Sequence, residues 1–122
     1  TRDFTYVSDT VAGFISALKN EGALGEVVNL GSGFEISIGE TAKLIGELMN
    51  ESISIISDEQ RFRPENSEVE RLLADNSKAN QLFNWQPKKN GIEGFTSGLE
   101  LTIKWFSNPE NLTSFKTDTY NK

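Results

Sequence analysis

The sequence predicts an α/β fold, and three observations carry that prediction. Short β-branched and aromatic runs alternate with stretches of helical periodicity, a serine and a glutamate three apart open one of those stretches, and glycine-bearing turns separate them. The expected order is strand, helix, strand, helix, strand, loop, helix, helix. Three short strands cannot build a full doubly wound sheet, so an incomplete one is expected.

Residues 2–7 alternate in the manner of a strand. Asp9 is the candidate N-cap of a helix whose Val11, Phe14, Ile15 and Leu18 share one face. The turn at 20–25, with Gly22 and Gly25, ends that helix, and residues 26–30 read as a second strand that breaks at Gly31-Ser32-Gly33. Ser37 and Glu40 have the spacing of a capping box, and Ile38, Ala42, Ile45, Leu48 and Met49 then form one stripe as far as Asn50. Residues 53–56 read as a third strand. Beyond a charged loop, Ser77 caps a short helix with Ala79, Leu82 and Phe83 on its apolar side. A longer helix follows through Ile92, Phe95, Leu99, Ile103 and Phe106, weakened at Gly94 and Gly98 by up to about 1 kcal/mol each. Asn108-Pro109 stops it. The folded unit is expected over residues 1–106, with 107–122 as a polar, poorly ordered tail. Phe83, Trp85, Phe95, Trp105 and Phe106 are expected in the core.

At 122 residues and 36% hydrophobic content, the chain suffices for one small core and no more. Its net charge of −6 repels phosphate backbones and anionic lipid heads, which argues against nucleic acid and membrane partners. With no cysteine there is no disulfide framework or thiolate chemistry, which fits a cytoplasmic location. With no histidine, the commonest general base and metal ligand is missing. No apolar run approaches the roughly 20 residues that span a bilayer. The first residue is Thr1, in what reads as a strand, so a segment of a longer protein is expected.

The richest stretch lies over residues 61–79. Arg61 and Arg63 stand on a loop braced by Pro64, and a planar, permanently charged guanidinium grips phosphate or diphosphate bidentately. The alternative is a solvated loop in which Glu65, Glu68 and Glu70 neutralise the arginines. Asp75 and Lys78 are expected to cap and salt-bridge the helix start. Asn29, at a strand end, is expected to satisfy turn backbone.

Three blocks of text carry a family resemblance. They are Thr1-Arg2-Asp3-Phe4-Thr5-Tyr6-Val7-Ser8-Asp9, then Val28-Asn29-Leu30-Gly31-Ser32-Gly33, then Arg63-Pro64 with Ser67-Glu68-Val69-Glu70-Arg71-Leu72, Ala74-Asp75, Ser77-Lys78-Ala79 and Trp85-Gln86-Pro87. In this order they resemble the carboxy-terminal part of the extended short-chain dehydrogenase/reductases, the NAD-dependent nucleotide-sugar epimerases and dehydratases. The wording of the third block is most similar to the 4,6-dehydratases acting on UDP- or GDP-linked hexoses.

That resemblance implies a carboxy-terminal substrate-binding lobe that donates a late strand, residues 27–30, to the Rossmann sheet. It implies substrate contacts at Arg2 (diphosphate), Arg63 (diphosphate or nucleoside) and Glu68 (ribose hydroxyls), with Arg61 as helper of Arg63 or in its place. Glu68 follows Pro64 by four residues, where some relatives have a tighter Arg-Pro-x-Glu-Val, so Glu65 also stays open for that role. The partners implied are a nucleotide-diphosphate sugar and the amino-terminal Rossmann part of the same protein, with a homodimer also allowed. The whole enzyme would oxidise C4 of the hexose with NAD, eliminate water across C5 and C6, and return the hydride at C6. A 4-epimerase would share the same lobe. The reading from another class is a non-catalytic binding or dimerisation module.

No catalytic, cofactor-binding or metal-ligating residue is expected in this chain, so alone it is expected to be inactive. The family's hydride chemistry needs a glycine-rich first turn and a Tyr-x-x-x-Lys pair. Here Ile36 stands where a third glycine belongs, Thr10 stands four residues after Tyr6, and Tyr120 is two residues from the last.

Overall fold

The computed structural model describes residues 1–56 and 69–113. Strand β1 (Arg2–Asp3) leads into α1 (Val7–Leu18) and a single 3-10 turn (Glu21–Ala23). Strand β2 (Glu35–Ile36) precedes α2 (Ile38–Met49), and α3 (Ser77–Phe83), α4 (Gly91–Phe106) and α5 (Pro109–Leu112) complete the order. The architecture is a mixed, mostly helical one around a two-stranded antiparallel sheet, with Arg2 opposite Ile36 and Asp3 opposite Glu35.

Helix α2 forms where local chemistry demands it. The Ser37 hydroxyl accepts the Glu40 amide at 3.1 Å and the Glu40 carboxylate accepts the Ser37 amide at 3.1 Å, so two donors at the helix start are satisfied reciprocally. Asn50 ends it in the left-handed conformation, φ 54°. Its apolar side meets α4, and Phe95 of α4 is buried and stacked on Phe4 at 5.7 Å between ring centroids. Gly94 is required rather than merely tolerated: a β-carbon there would collide with the Lys89 backbone.

The second packing group centres on Ala79, Phe83 and Trp85, with Ala12, Ala17, Val28, Leu30 and Leu82 against it. Helix α1 turns its small residues inward. Gly13 is buried against Leu30, whose side chain occupies the space a β-carbon would need. The stripe read from the sequence therefore points outward: Val11, Phe14, Ile15 and Leu18 are exposed, Leu18 at 87%.

Several expectations are corrected. The first strand is two residues long, and among the described residues 26–30 and 53–56 belong to no ladder. High β-propensity does not provide a partner edge, and Ile53, Ile55 and Ile56 lie exposed. The strand that does pair, Glu35–Ile36, was not expected. Asp9 is no cap: Tyr6 holds that position, and Asp9 is 2% exposed, its carboxylate accepting the Lys89 amide at 2.8 Å. Trp85 donates its indole N–H to the Asp9 carbonyl at 3.2 Å, which satisfies the ring inside the core. Ser77 lies inside α3, and Asn76 occupies the cap position without capping because its amide is committed elsewhere. Asp75 takes the Ser77 amide at 2.9 Å instead, and Lys78 pairs with Glu26 at 2.6 Å. Trp105 and Phe106, expected in the core, are 45% and 44% exposed and meet edge to face at 4.8 Å. After the Asn108-Pro109 stop the chain re-enters a short helix, with the Asn108 side chain accepting the Glu110 amide at 3.1 Å.

Candidate functional site

The three sequence blocks converge on one open groove of about 340 Å3, lined by Asp3 and Thr5, by Asn29, Leu30 and Gly31, and by Leu72, Leu73 and Ala74. Two short polar side chains draw these distant segments together. The Asp3 carboxylate accepts the Ser32 amide at 2.7 Å and the Ser32 hydroxyl at 2.5 Å on one oxygen, and the amides of Gly33 and Ala74, each at 3.2 Å, on the other. The Asn76 amide clasps Gly31, accepting its N–H at 2.9 Å and donating to its carbonyl at 2.8 Å. Asn76 thus supplies the pairing a neighbouring strand would give.

Arg2 sits at the rim of this assembly. One guanidinium nitrogen donates to the Val69 and Thr1 carbonyls, both at 2.8 Å, and the Leu72 amide reaches the Thr1 carbonyl at 3.2 Å. Arg2 is therefore held against residue 69, which directly follows the segment carrying Arg61, Arg63, Glu65 and Glu68. Those four positions lie outside the described residues. Beside Arg2, Glu35 receives Arg71 through two hydrogen bonds at 2.7 and 2.8 Å, and the Thr1 hydroxyl at 2.6 Å. The Arg71 guanidinium and the Thr1 hydroxyl hold the Glu35 carboxyl down at about 2, and Glu35 in turn raises Arg71. Arg71 is committed to this pair.

The chemistry of the groove is that of binding. Asp3, with four donors on its two oxygens, is a structural acceptor rather than an acid or base. The Gly31-Ser32-Gly33 turn does not fit a dinucleotide pyrophosphate, because its three amides are already taken by Asn76 and Asp3. Among the described residues no group of His, Cys, Asp and Glu could hold a metal ion, and no helix is long and apolar enough to cross a membrane. Sequence reasoning picked Arg2 but passed over Asp3 and Asn76. The available signal was the habit of short polar side chains to bind backbone groups in place of secondary structure.

Comparison with known proteins agrees with this convergence. A family model described as GDP-mannose 4,6 dehydratase matches residues 1–97. The UDP-glucuronate 4-epimerase of Thermodesulfobacterium geofontis is 32% identical over 95% of the chain and 32% of its own length. The UDP-N-acetyl-alpha-D-glucosaminuronate decarboxylase of Bacillus cytotoxicus is 34% identical over 91% and 34%. The human dTDP-D-glucose 4,6-dehydratase is 30% identical over 95% and 32%. Among solved structures, the epimerase Mth375 of Methanothermobacter thermautotrophicus superposes with a TM-score of 0.73 at 34% identity, over 87% of this chain and 30% of that one. The chain thus spans about a third of the length of the curated relatives it matches. With its sequence blocks and its fold in agreement, the chain belongs to the extended short-chain dehydrogenase/reductases, in the NAD-dependent nucleotide-sugar epimerase/dehydratase family.

Proposed function

We propose that this chain holds the nucleoside-diphosphate end of a nucleotide sugar for a 4,6-dehydratase. Arg2 and Arg63 grip the diphosphate, Arg61 assists or replaces Arg63, and Glu68 accepts the ribose hydroxyls. The observation that carries the reading is the fastening of Arg2 to the Val69 backbone, at the edge of the segment that bears the other three. Charge-assisted bonds of this kind contribute positioning energy to chemistry performed elsewhere in the protein. NAD and the reacting groups belong, in this proposal, to an amino-terminal Rossmann part, and the exposed apolar face of α1 is the surface on which that part docks. The working unit is residues 1–106, in a cytoplasmic enzyme. A 4-epimerase or a decarboxylase built on the same portion is the second reading, favoured by the named relatives of those activities.

Amide NMR of the labelled chain, titrated with UDP, GDP and dTDP, tests the proposal. The expected result is saturable shifts at Arg2 and residues 69–74 with one of the three, weakened roughly tenfold or more by Arg63→Ala. A well-dispersed spectrum that responds to none, or equally in both proteins, contradicts it.

A further inference from the structure

We infer that the chain carries a second binding site, for a small monocarboxylate with an apolar body, in the cavity between the link from β1 to α1, helix α2 and helix α4. The cavity measures about 310 Å3, at the small end of the range for ligand sites. Phe4, Phe95, Ile45 and Leu99 are on its lining, so most of what an occupant meets is hydrocarbon. The polar end is supplied by Lys89, with the hydroxyl-bearing Thr41 and Thr102 also on the lining.

Lys89 is held for this role by bonds that leave its charge unanswered. Its backbone amide is anchored on the buried Asp9 carboxylate at 2.8 Å. Its ammonium donates to the Ser97 hydroxyl at 2.8 Å and stands 5.6 Å from the centre of the Tyr6 ring. A hydroxyl and a ring face orient a cation but do not neutralise it, and an ammonium has three protons to give. Among the described residues the ion pairs are those of Arg71 with Glu35 and Lys78 with Glu26, and none involves Lys89. A half-buried lysine on an apolar cavity favours an anion that brings its own hydrocarbon. One cation matches one negative charge, which selects a monocarboxylate over a nucleotide. The site is independent of the nucleotide-sugar reading.

Titration of the labelled chain with benzoate, and with benzamide as its uncharged counterpart, tests the assignment by amide NMR. Benzoate is expected to give saturable shifts at Gly94, Gly98 and Thr102, with benzamide weaker by roughly tenfold or more. Lys89→Met is expected to weaken benzoate to the level of benzamide, and Lys89→Arg to retain it. Absence of saturable shifts, or equal response to benzoate and benzamide in the wild type, overturns the assignment whether or not the variants fold. Undiminished benzoate binding by a folded Lys89→Met chain overturns it as well.

Discussion

The assembly around Asp3 and the layer formed by α2 and α4 are held by different kinds of interaction. In the first, residues 1–3, 31–36 and 69–76 are joined by side chains bonding to backbone. In the second, apolar side chains at helical spacing meet across a surface, and Phe95 anchors it beneath Phe4 and Phe34. Pattern suffices for the layer, where leucine and isoleucine exchange at modest cost. The Asp3 assembly depends on individual atoms, because the amides of Ser32, Gly33 and Ala74 have that one carboxylate as their acceptor.

The largest effect expected to separate the two regions is that of Asp3→Ala. It removes the acceptor from the amides of Ser32, Gly33 and Ala74 together, and a loss of about 3 kcal/mol is expected in urea unfolding. A loss under about 1 kcal/mol would mean that water replaces the carboxylate freely. Ser37→Ala probes the layer instead. It removes one half of the capping box and is expected to cost about 1 kcal/mol, without altering nucleotide response at Arg2.

The smallest effect sharpens the comparison through pH. Glu35 has a folded value of about 2, below its ordinary 4.5, so it binds its proton less readily when folded. Its contribution is fully present above about 4.5 and is lost as pH falls from there through about 2. Wild type is therefore expected to lose more stability than Glu35→Gln across that window and to parallel it above. Because the Arg71 side chain is 66% exposed, the difference is expected to be small and to shrink with salt. Parallel curves throughout would show that the Arg71 pair contributes nothing to folding.

The regions also differed in how legible they were from sequence. Helix α2 was readable because its start is written in two residues three apart and its stripe marks a packing side, which the structure sets against α4. The stripe of α1 was readable as a stripe, but spacing does not tell which side is covered. Ala12, Gly13 and Ala17 took the core side because only small residues admit Leu30 and Trp85 so closely. Residues 26–30 and 53–56 form no strand among the described residues, because β-propensity describes a residue, whereas a strand needs a partner. Asp3 and Asn76 were illegible because their bonds span up to 71 positions in the chain and leave no local period. Arg2 was recognised through resemblance, and the structure ties it to residue 69, while Arg61, Arg63 and Glu68 lie outside the described residues.

Amide hydrogen exchange in wild type and Asp3→Ala tests most directly the claim that one carboxylate fastens the three blocks. The account predicts protected amides at Ser32, Gly33 and Ala74 in the wild type, and selective loss of that protection in the variant, with the amides of α2 and α4 still slow. Fast exchange at those three amides in the wild type, or uniform loss of protection across both regions in the variant, would contradict it.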